Sequence, residues 1–239
     1  LPQDLIQILD MQSRENTGTL ISSADVVVAT GGAGMVKAAY SSGRPALGVG
    51  AGNVQCIIDQ GYDYKQAVPK IIAGRTFDYG IICSGEQSFI CPEADYEHIL
   101  SEFEKNGAYI VKDEEEAERL RNVLFEEGKP NRHSVGQSPQ KIAEMAGISL
   151  PEGTRVIVAQ AKGTAGSDLF GKEKMAPVIA SYKYRTFEEG VEIAEANLSV
   201  EGKGHSVAIH SDNIRHIEYA GEKLSVSRFV VNQTCASTA

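Results

Sequence analysis

The sequence predicts an α/β fold with a largely parallel sheet, and three observations carry that prediction. Short apolar runs rich in Val and Ile alternate with longer stretches of helical periodicity. Gly, Pro, Ser and Asp punctuate the junctions between them. The 239 residues, 42% of them hydrophobic, can build a real core as one large α/β domain or as two lobes.

The elements follow in order. Residues 25–30, DVVVAT, read as a buried strand, and residues 31–34, GGAG, as a turn. Residues 35–43 read as a short helix closed by Gly43, and residues 45–50, PALGVG, as the next strand. The run VQCII around Cys56 is strand-like. Ala67, Val68, Ile71 and Ile72 share one helical face, which predicts a helix over 63–74 ending near Gly74. A helix over 95–107 closes at Gly107, a strand occupies 108–111, and a charged helix over 113–126 carries Leu120, Val123 and Leu124 as its apolar stripe. Ser138 and Pro139 are an N-cap and first-turn pair for a helix over 138–147. Residues 154–160, 177–184, 205–211 and 227–233 read as strands. Thr186 is the N-cap of a helix over 186–197, with Glu189 completing a capping box.

Composition removes several function classes. A net charge of −9 argues against a nucleic-acid partner, which would call for a basic face. No apolar run approaches the roughly 18 residues of a membrane helix, and no signal peptide opens the chain. The four cysteines form no C-x-x-C pair, and no His stands at zinc-ligand spacing. Free thiols in a reducing cytoplasm, with no metal, are the expectation.

Three stretches invite chemistry. The strand-turn-helix sequence TGGAG places backbone N–H groups at a helix N-terminus, where glycines admit a phosphate closely. The spacing is not G-x-G-x-x-G, and such turns also occur without a ligand, so both readings stand. The segment GVGAGN (48–53) is so poor in side chains that something must pack or bind against its backbone. Finally, Cys83 lies between Gly80 and Gly85 in TFDYGIICSGEQSF. Cys56 and Cys91 read as small buried hydrophobes. Cys83 instead sits in a polar turn where a thiol could meet backbone donors, as a core group or a nucleophile.

Taken together, VVVATGGAGMVKAAYSSGRPALGVGAGN, FDYGIICSGEQS, KEKMAPV, GKGHSVAIHSDN and SRFVVNQ resemble successive motifs of the CoA-acylating aldehyde dehydrogenases. That family includes acetaldehyde, propionaldehyde and succinate-semialdehyde enzymes and the aldehyde lobe of bifunctional aldehyde–alcohol dehydrogenases. The resemblance runs in order through nearly the whole chain. It implies an aldehyde-dehydrogenase-like fold: residues 1–48 as the second half of a Rossmann-type dinucleotide-binding domain, and residues 49–239 as an α/β catalytic domain lacking its C-terminal end. The sequence opens on Leu1 without an initiator Met, and a fragment is the expectation.

The resemblance also implies roles. Cys83 would attack an aldehyde, lose hydride to NAD or NADP as a thioester, and pass the acyl group to coenzyme A. Thr30, Gly31, Gly32 and Gly34 match the turn beside the pyrophosphate and nicotinamide. Glu173 matches the glutamate that holds the nicotinamide ribose, although on its own residues it reads as a solvated charge between Lys172 and Lys174. His205 matches a histidine lining the coenzyme A or acyl pocket. Glu86 and Gln87 would support the cysteine loop rather than react. Hydrolytic relatives carry a water-activating glutamate where this chain has Gly48 or Val49, which favours coenzyme A over water. The resemblance further implies a homo-oligomer for a full-length protein. Competing readings are a hydrolytic aldehyde dehydrogenase or acyl-phosphate reductase of the same fold, and an inactive fragment serving only in assembly.

Overall fold

The computed structural model describes residue 2 and residues 4–238. The chain divides into two units, Leu1–Ala51 and Gly52–Ala239.

The first unit contains α1 (Arg14–Ser23), β1 (Val27–Thr30), α2 (Ala33–Tyr40) and β2 (Ala46–Val49). The strands pair in parallel, from Val27 opposite Ala46 to Thr30 opposite Val49. Val27, Ala29 and Ala39 form its small core. Ser13 caps α1 by accepting from the Asn16 N–H at 3.0 Å. None of its residues is buried, so no apolar stripe announced this helix in the sequence.

The second unit runs β3 (Val54–Ile58), α3 (Tyr64–Thr76), β4 (Glu86–Pro92), α4 (Tyr96–Lys105), β5 (Ala108–Ile110), α5 (Glu114–Leu124), β6 (Phe125–Glu126), β7 (Lys129–Pro130), α6 (Pro139–Ala146), β8 (Val156–Gln160), β9 (Val178–Tyr184), α7 (Phe187–Val200), β10 (Ser206–His210), α8 (Ile214–Lys223) and β11 (Arg228–Val231). Seven of these strands make one sheet in the order β11-β10-β3-β4-β9-β8-β5. Every pairing in it is parallel. The mixed α/β architecture with a parallel sheet is therefore as the sequence predicts.

Alternating residues of the central strands feed two cores. Cys56, Ile58, Phe89 and Cys91 pack with Ile71, Ile72, Ile99 and Phe103 of α3 and α4. Ile57 and Ile90 pack on the opposite face with Leu120 of α5, Ile142 of α6, Val191 of α7 and Ala220 of α8. Each such aliphatic side chain removed from water contributes roughly 1.5–3 kcal/mol, and covering both faces accounts for the near-continuous burial of β3, β4 and β10.

Two local details differ from expectation. Helix α3 does not stop at Gly74 but continues to Thr76. Gly74 is there because a Cβ would lie 1.8 Å from Glu86 Oε2, so it permits close packing rather than ending the helix. Thr186 caps α7 by accepting from the Glu189 N–H, as expected, but the Glu189 carboxylate accepts from Arg185 N–H at 2.8 Å, one residue outside the usual capping box.

Candidate active site

Four neighbouring strands, β10, β3, β4 and β9, gather the candidate residues at their amino ends. Gly52 and Asn53 lead into β3, the Cys83 turn into β4, Glu173 into β9 and His205 into β10. Because the strands are parallel, these four entries lie along one edge of the sheet.

They converge on Gly52. A Cβ built there would lie 2.2 Å from the Cys83 carbonyl oxygen and 3.2 Å from His205 Cε1. The Gly52 N–H lies close enough to the Glu173 carboxylate to favour its ionised form. The sparse GVGAGN segment thus lets Cys83, His205 and Glu173 close around one residue with no side chain. The loop before β10 completes the packing, since a Cβ on Gly202 would lie 2.7 Å from the Asn53 nitrogen. Asn53 is itself fixed by donating from Nδ2 to Gly171 O at 2.7 Å.

Cys83 occupies the second position of a hydrogen-bonded turn, in which Gly85 N–H donates to Ile82 O at 3.1 Å. A Cβ on Gly85 would lie 2.7 Å from Gly74 O, so the turn is seated on α3. Cys83 is half-buried, whereas Cys56, Cys91 and Cys235 are buried. Burial pushes those three thiols up, far from the thiolate form. Beside Cys83, the Ser84 hydroxyl is buried without a hydrogen-bond partner.

His205 is 5% exposed and its Nδ1 has no hydrogen-bond partner. Burial, then the Arg228 guanidinium, hold its pKa below the ordinary histidine value, so the imidazole is neutral at pH 7. A neutral ring with a vacant nitrogen can accept a proton from a thiol or return one.

Glu173 is 6% exposed, which overturns the solvated-charge reading. Its own N–H donates to Glu201 Oε2 at 3.0 Å. Burial, then the Glu201 carboxylate, push Glu173 up to about 7. Lys174 is buried as well, its ammonium donating to Phe170 O at 2.6 Å and Lys172 O at 2.8 Å. The KEK charge run therefore folds inward at its second and third members, because backbone carbonyls and the Gly52 amide replace water.

Thr30, Gly31, Gly32 and Gly34 form a cluster of their own in the first unit. Thr30 ends β1, Gly32 is the N-cap of α2 and Gly34 lies in its first turn. Gly31 N–H donates to Val49 O at 3.1 Å. A Cβ at Gly32 or Gly34 would meet open space, while one at Gly31 would come within 3.3 Å of Met35 Cβ.

Glu86 and Gln87 brace the cysteine turn. Glu86 accepts from Cys235 N–H at 2.7 Å and from the Thr234 hydroxyl at 3.1 Å, and Gln87 Oε1 accepts from Lys174 N–H at 3.0 Å. Sequence reasoning missed Gly52 as the hub and Glu201 as the neighbour of Glu173. The glycine-rich run did signal a close approach, but not what approaches. Chemically, the backbone of a turn bearing a half-buried thiol, a neutral imidazole and a buried carboxyl group gathered at one glycine suit covalent catalysis with proton transfer.

No family model matches the chain. It is 56% identical over 232 residues to the succinate-semialdehyde dehydrogenase (acetylating) of Clostridium kluyveri, covering 97% of this chain and 51% of that protein. Its fold is similar to an acetylating aldehyde dehydrogenase from Geobacillus thermoglucosidasius, with TM-score 0.94 and 38% identity over 98% of this chain and 52% of the other. A propionaldehyde dehydrogenase from Rhodopseudomonas palustris, solved with bound CoA and an acylated cysteine, gives TM-score 0.86 and 26% identity over 93% of this chain and 51% of the other. The chain spans about half the length of these relatives. Over 97% of its length the chain is homologous to acylating aldehyde dehydrogenases, of which it matches a part.

Proposed function

We propose that this chain supplies the cysteine-bearing part of an enzyme that converts an aldehyde, coenzyme A and NAD(P)+ into an acyl-CoA and NAD(P)H, with Cys83 as nucleophile. The observation that carries the reading is the convergence on Gly52 of the turn of the one half-buried thiol, a neutral His205 and Glu173.

In this mechanism the Cys83 thiolate adds to the aldehyde carbonyl, forming a carbon–sulfur bond and an oxyanion. The Cys83 backbone N–H stabilises that oxyanion. The nicotinamide cofactor, when bound, supplies the acceptor for the hydride lost from that carbon, leaving a thioester on Cys83. The coenzyme A thiol then attacks the thioester carbonyl, and the Cys83 sulfur, the nucleophile of the first step, is now the leaving group. His205 takes the proton of the incoming thiol and returns one to the departing Cys83. With Gly48 and Val49 where hydrolytic relatives carry a glutamate, no base at those positions activates water.

Each unit, taken by itself, offers residues suited to part of a nicotinamide dinucleotide. Open space at Gly32 and Gly34, at the N-terminus of α2, suits a pyrophosphate, with Thr30 and Gly31 alongside. Glu173 offers the nicotinamide ribose the acceptor capacity that the Gly52 N–H leaves over. On this reading residues 1–48 are cofactor-domain chain and residues 49–239 catalytic-domain chain, working in a cytoplasmic homo-oligomer. Among the described residues, no helix is long and apolar enough to cross a membrane.

The test is to incubate the protein with an acyl-CoA and map acylation by mass spectrometry. The expected result is a thioester on Cys83 alone. In the forward direction, NADH formation from an aldehyde should require coenzyme A. Strong NADH formation without it would replace this reading with the hydrolytic one.

A further inference from the structure

We propose that Arg75 is a positioning residue for Cys83, its buried guanidinium tying together the two backbone carbonyls that bracket the cysteine turn. The proposal rests on the reading of Cys83 as nucleophile. Arg75 stands in the last turn of α3 and is fully buried. Nη1 donates to Glu86 O at 3.3 Å, and Nη2 donates to Gly80 O. Gly80 and Glu86 lie three residues before and three after Cys83. One side chain therefore fixes both ends of the segment that presents the thiol.

The approach to that segment needs fixing. Asp78 and Tyr79 have φ of 47° and 51°, and Gly80 follows at 75°, giving three consecutive left-handed residues. The two that are not glycine are strained in this region, and such runs persist only where the surroundings hold them. Gly80 is hemmed in on its other side, since a Cβ there would lie 2.5 Å from both the carbonyl carbon and oxygen of Ala176. The bond from Arg75 to Gly80 O thus joins the Ile81 N–H to Asp78 O bond in holding the end of the left-handed run, while the bond to Glu86 O anchors the start of β4. Glu86 and Glu173 lie close enough to offset the buried charge. A planar fork can reach two carbonyls at once, whereas a lysine ammonium is a single point donor on a flexible stem.

The experiment compares Arg75→Lys and Arg75→Gln with the wild type in the intact chain. Iodoacetamide labelling of each cysteine is followed by mass spectrometry from neutral to alkaline pH. In both variants the plateau labelling rate of Cys83 should fall about tenfold or more, the scale on which small misplacements act. The inflection of the Arg75→Lys profile should stay at the wild-type pH, and Cys56, Cys91 and Cys235 should stay unlabelled in both. A wild-type Cys83 plateau in either variant overturns the clamp. So does labelling of the buried thiols in Arg75→Lys, which would make the arginine a stability element only. If Arg75→Gln does not fold, Arg75→Lys decides alone. If Cys83 of the wild type labels no faster than the buried thiols, the nucleophile reading fails first and the clamp falls with it.

Discussion

The two edges of the seven-stranded sheet treat polar groups in opposite ways. At the carboxyl edge, Asp59 follows β3, accepting from the Gln60 N–H at 2.9 Å and the Ser211 hydroxyl at 2.5 Å, and lies 2.8 Å from His216 Nδ1. Asn232 bonds both the N–H and the carbonyl of Ser211, and the His216 ring stacks on Phe187 at 4.0 Å. At the amino edge, the Ser84 hydroxyl, Arg75 Nε, Gln87 Nε2 and His205 Nδ1 are buried without partners. An orphaned buried polar group costs about 1–3 kcal/mol, so several together at one edge are a sign of function rather than stability. His210 is the exception at the carboxyl edge: its ring is buried and unpartnered beside Tyr62. Open parallel sheets commonly place ligands outside the carboxyl ends of their strands. Here the residues suited to chemistry stand at the opposite edge.

The contrast can be broken or sharpened by substitution. Replacing the thiol by Cys83→Ala should abolish acyl transfer from acyl-CoA to the protein, read as loss of the thioester adduct. His205→Ala should slow transfer between Cys83 and coenzyme A by about 100-fold or more. The acid limb of the wild-type profile should lie below the ordinary histidine value and vanish in the variant, since burial and Arg228 hold His205 neutral. Gly52→Ala should cost on the order of 100-fold in Cys83 reactivity, because the new methyl would clash with the Cys83 carbonyl oxygen at 2.2 Å. A wild-type rate in that variant would show that the convergence on Gly52 has no catalytic consequence.

Smaller effects belong to stability. Glu173 ionises in the unfolded chain near its ordinary value of 4.5, but only at about 7 in the folded protein. The folded state therefore binds more protons between those values, and this group's contribution is full below pH 4.5 and lost as pH rises to about 7. Glu173→Gln should gain on the wild type across that window, by at most about 3 kcal/mol, in urea denaturation at several pH values. At the other edge, Asp59→Ala should cost about 1–3 kcal/mol of stability while Cys83 labelling stays unchanged. A slowed Cys83 in that variant would mean that the two edges are coupled after all.

Much of the fold was legible in advance, for reasons that differ between elements. Helices α5, α6 and α7 carried side-chain caps at Asp113, Ser138 and Thr186 together with an apolar stripe, both of them local signals. Strand β4 was harder: it is buried throughout, yet begins with Glu86, Gln87 and Ser88, so neither alternation nor a pure apolar run marks it. Helix α8 fully buries only Ala220, with Ile217 and Tyr219 partly buried against the core, and the sequence reading did not assign it. Of the site, Cys83 stood out by its polar glycine-flanked turn, and the other roles came from resemblance.

What the sequence determined by itself was the alternation of strands and helices, the resemblance to acylating aldehyde dehydrogenases, and the shortlist of Cys83, His205 and Glu173. Local propensity, periodicity and motif are properties of neighbouring residues, so they survive without coordinates. What only the tertiary structure decided was where those residues meet. Their separation in sequence hides that β3, β4, β9 and β10 are neighbours in one parallel sheet. Only that pairing turns Gly52 into a point of contact for all three, buries the charges of Glu173 and Lys174, and stretches Arg75 across the turn that bears Cys83.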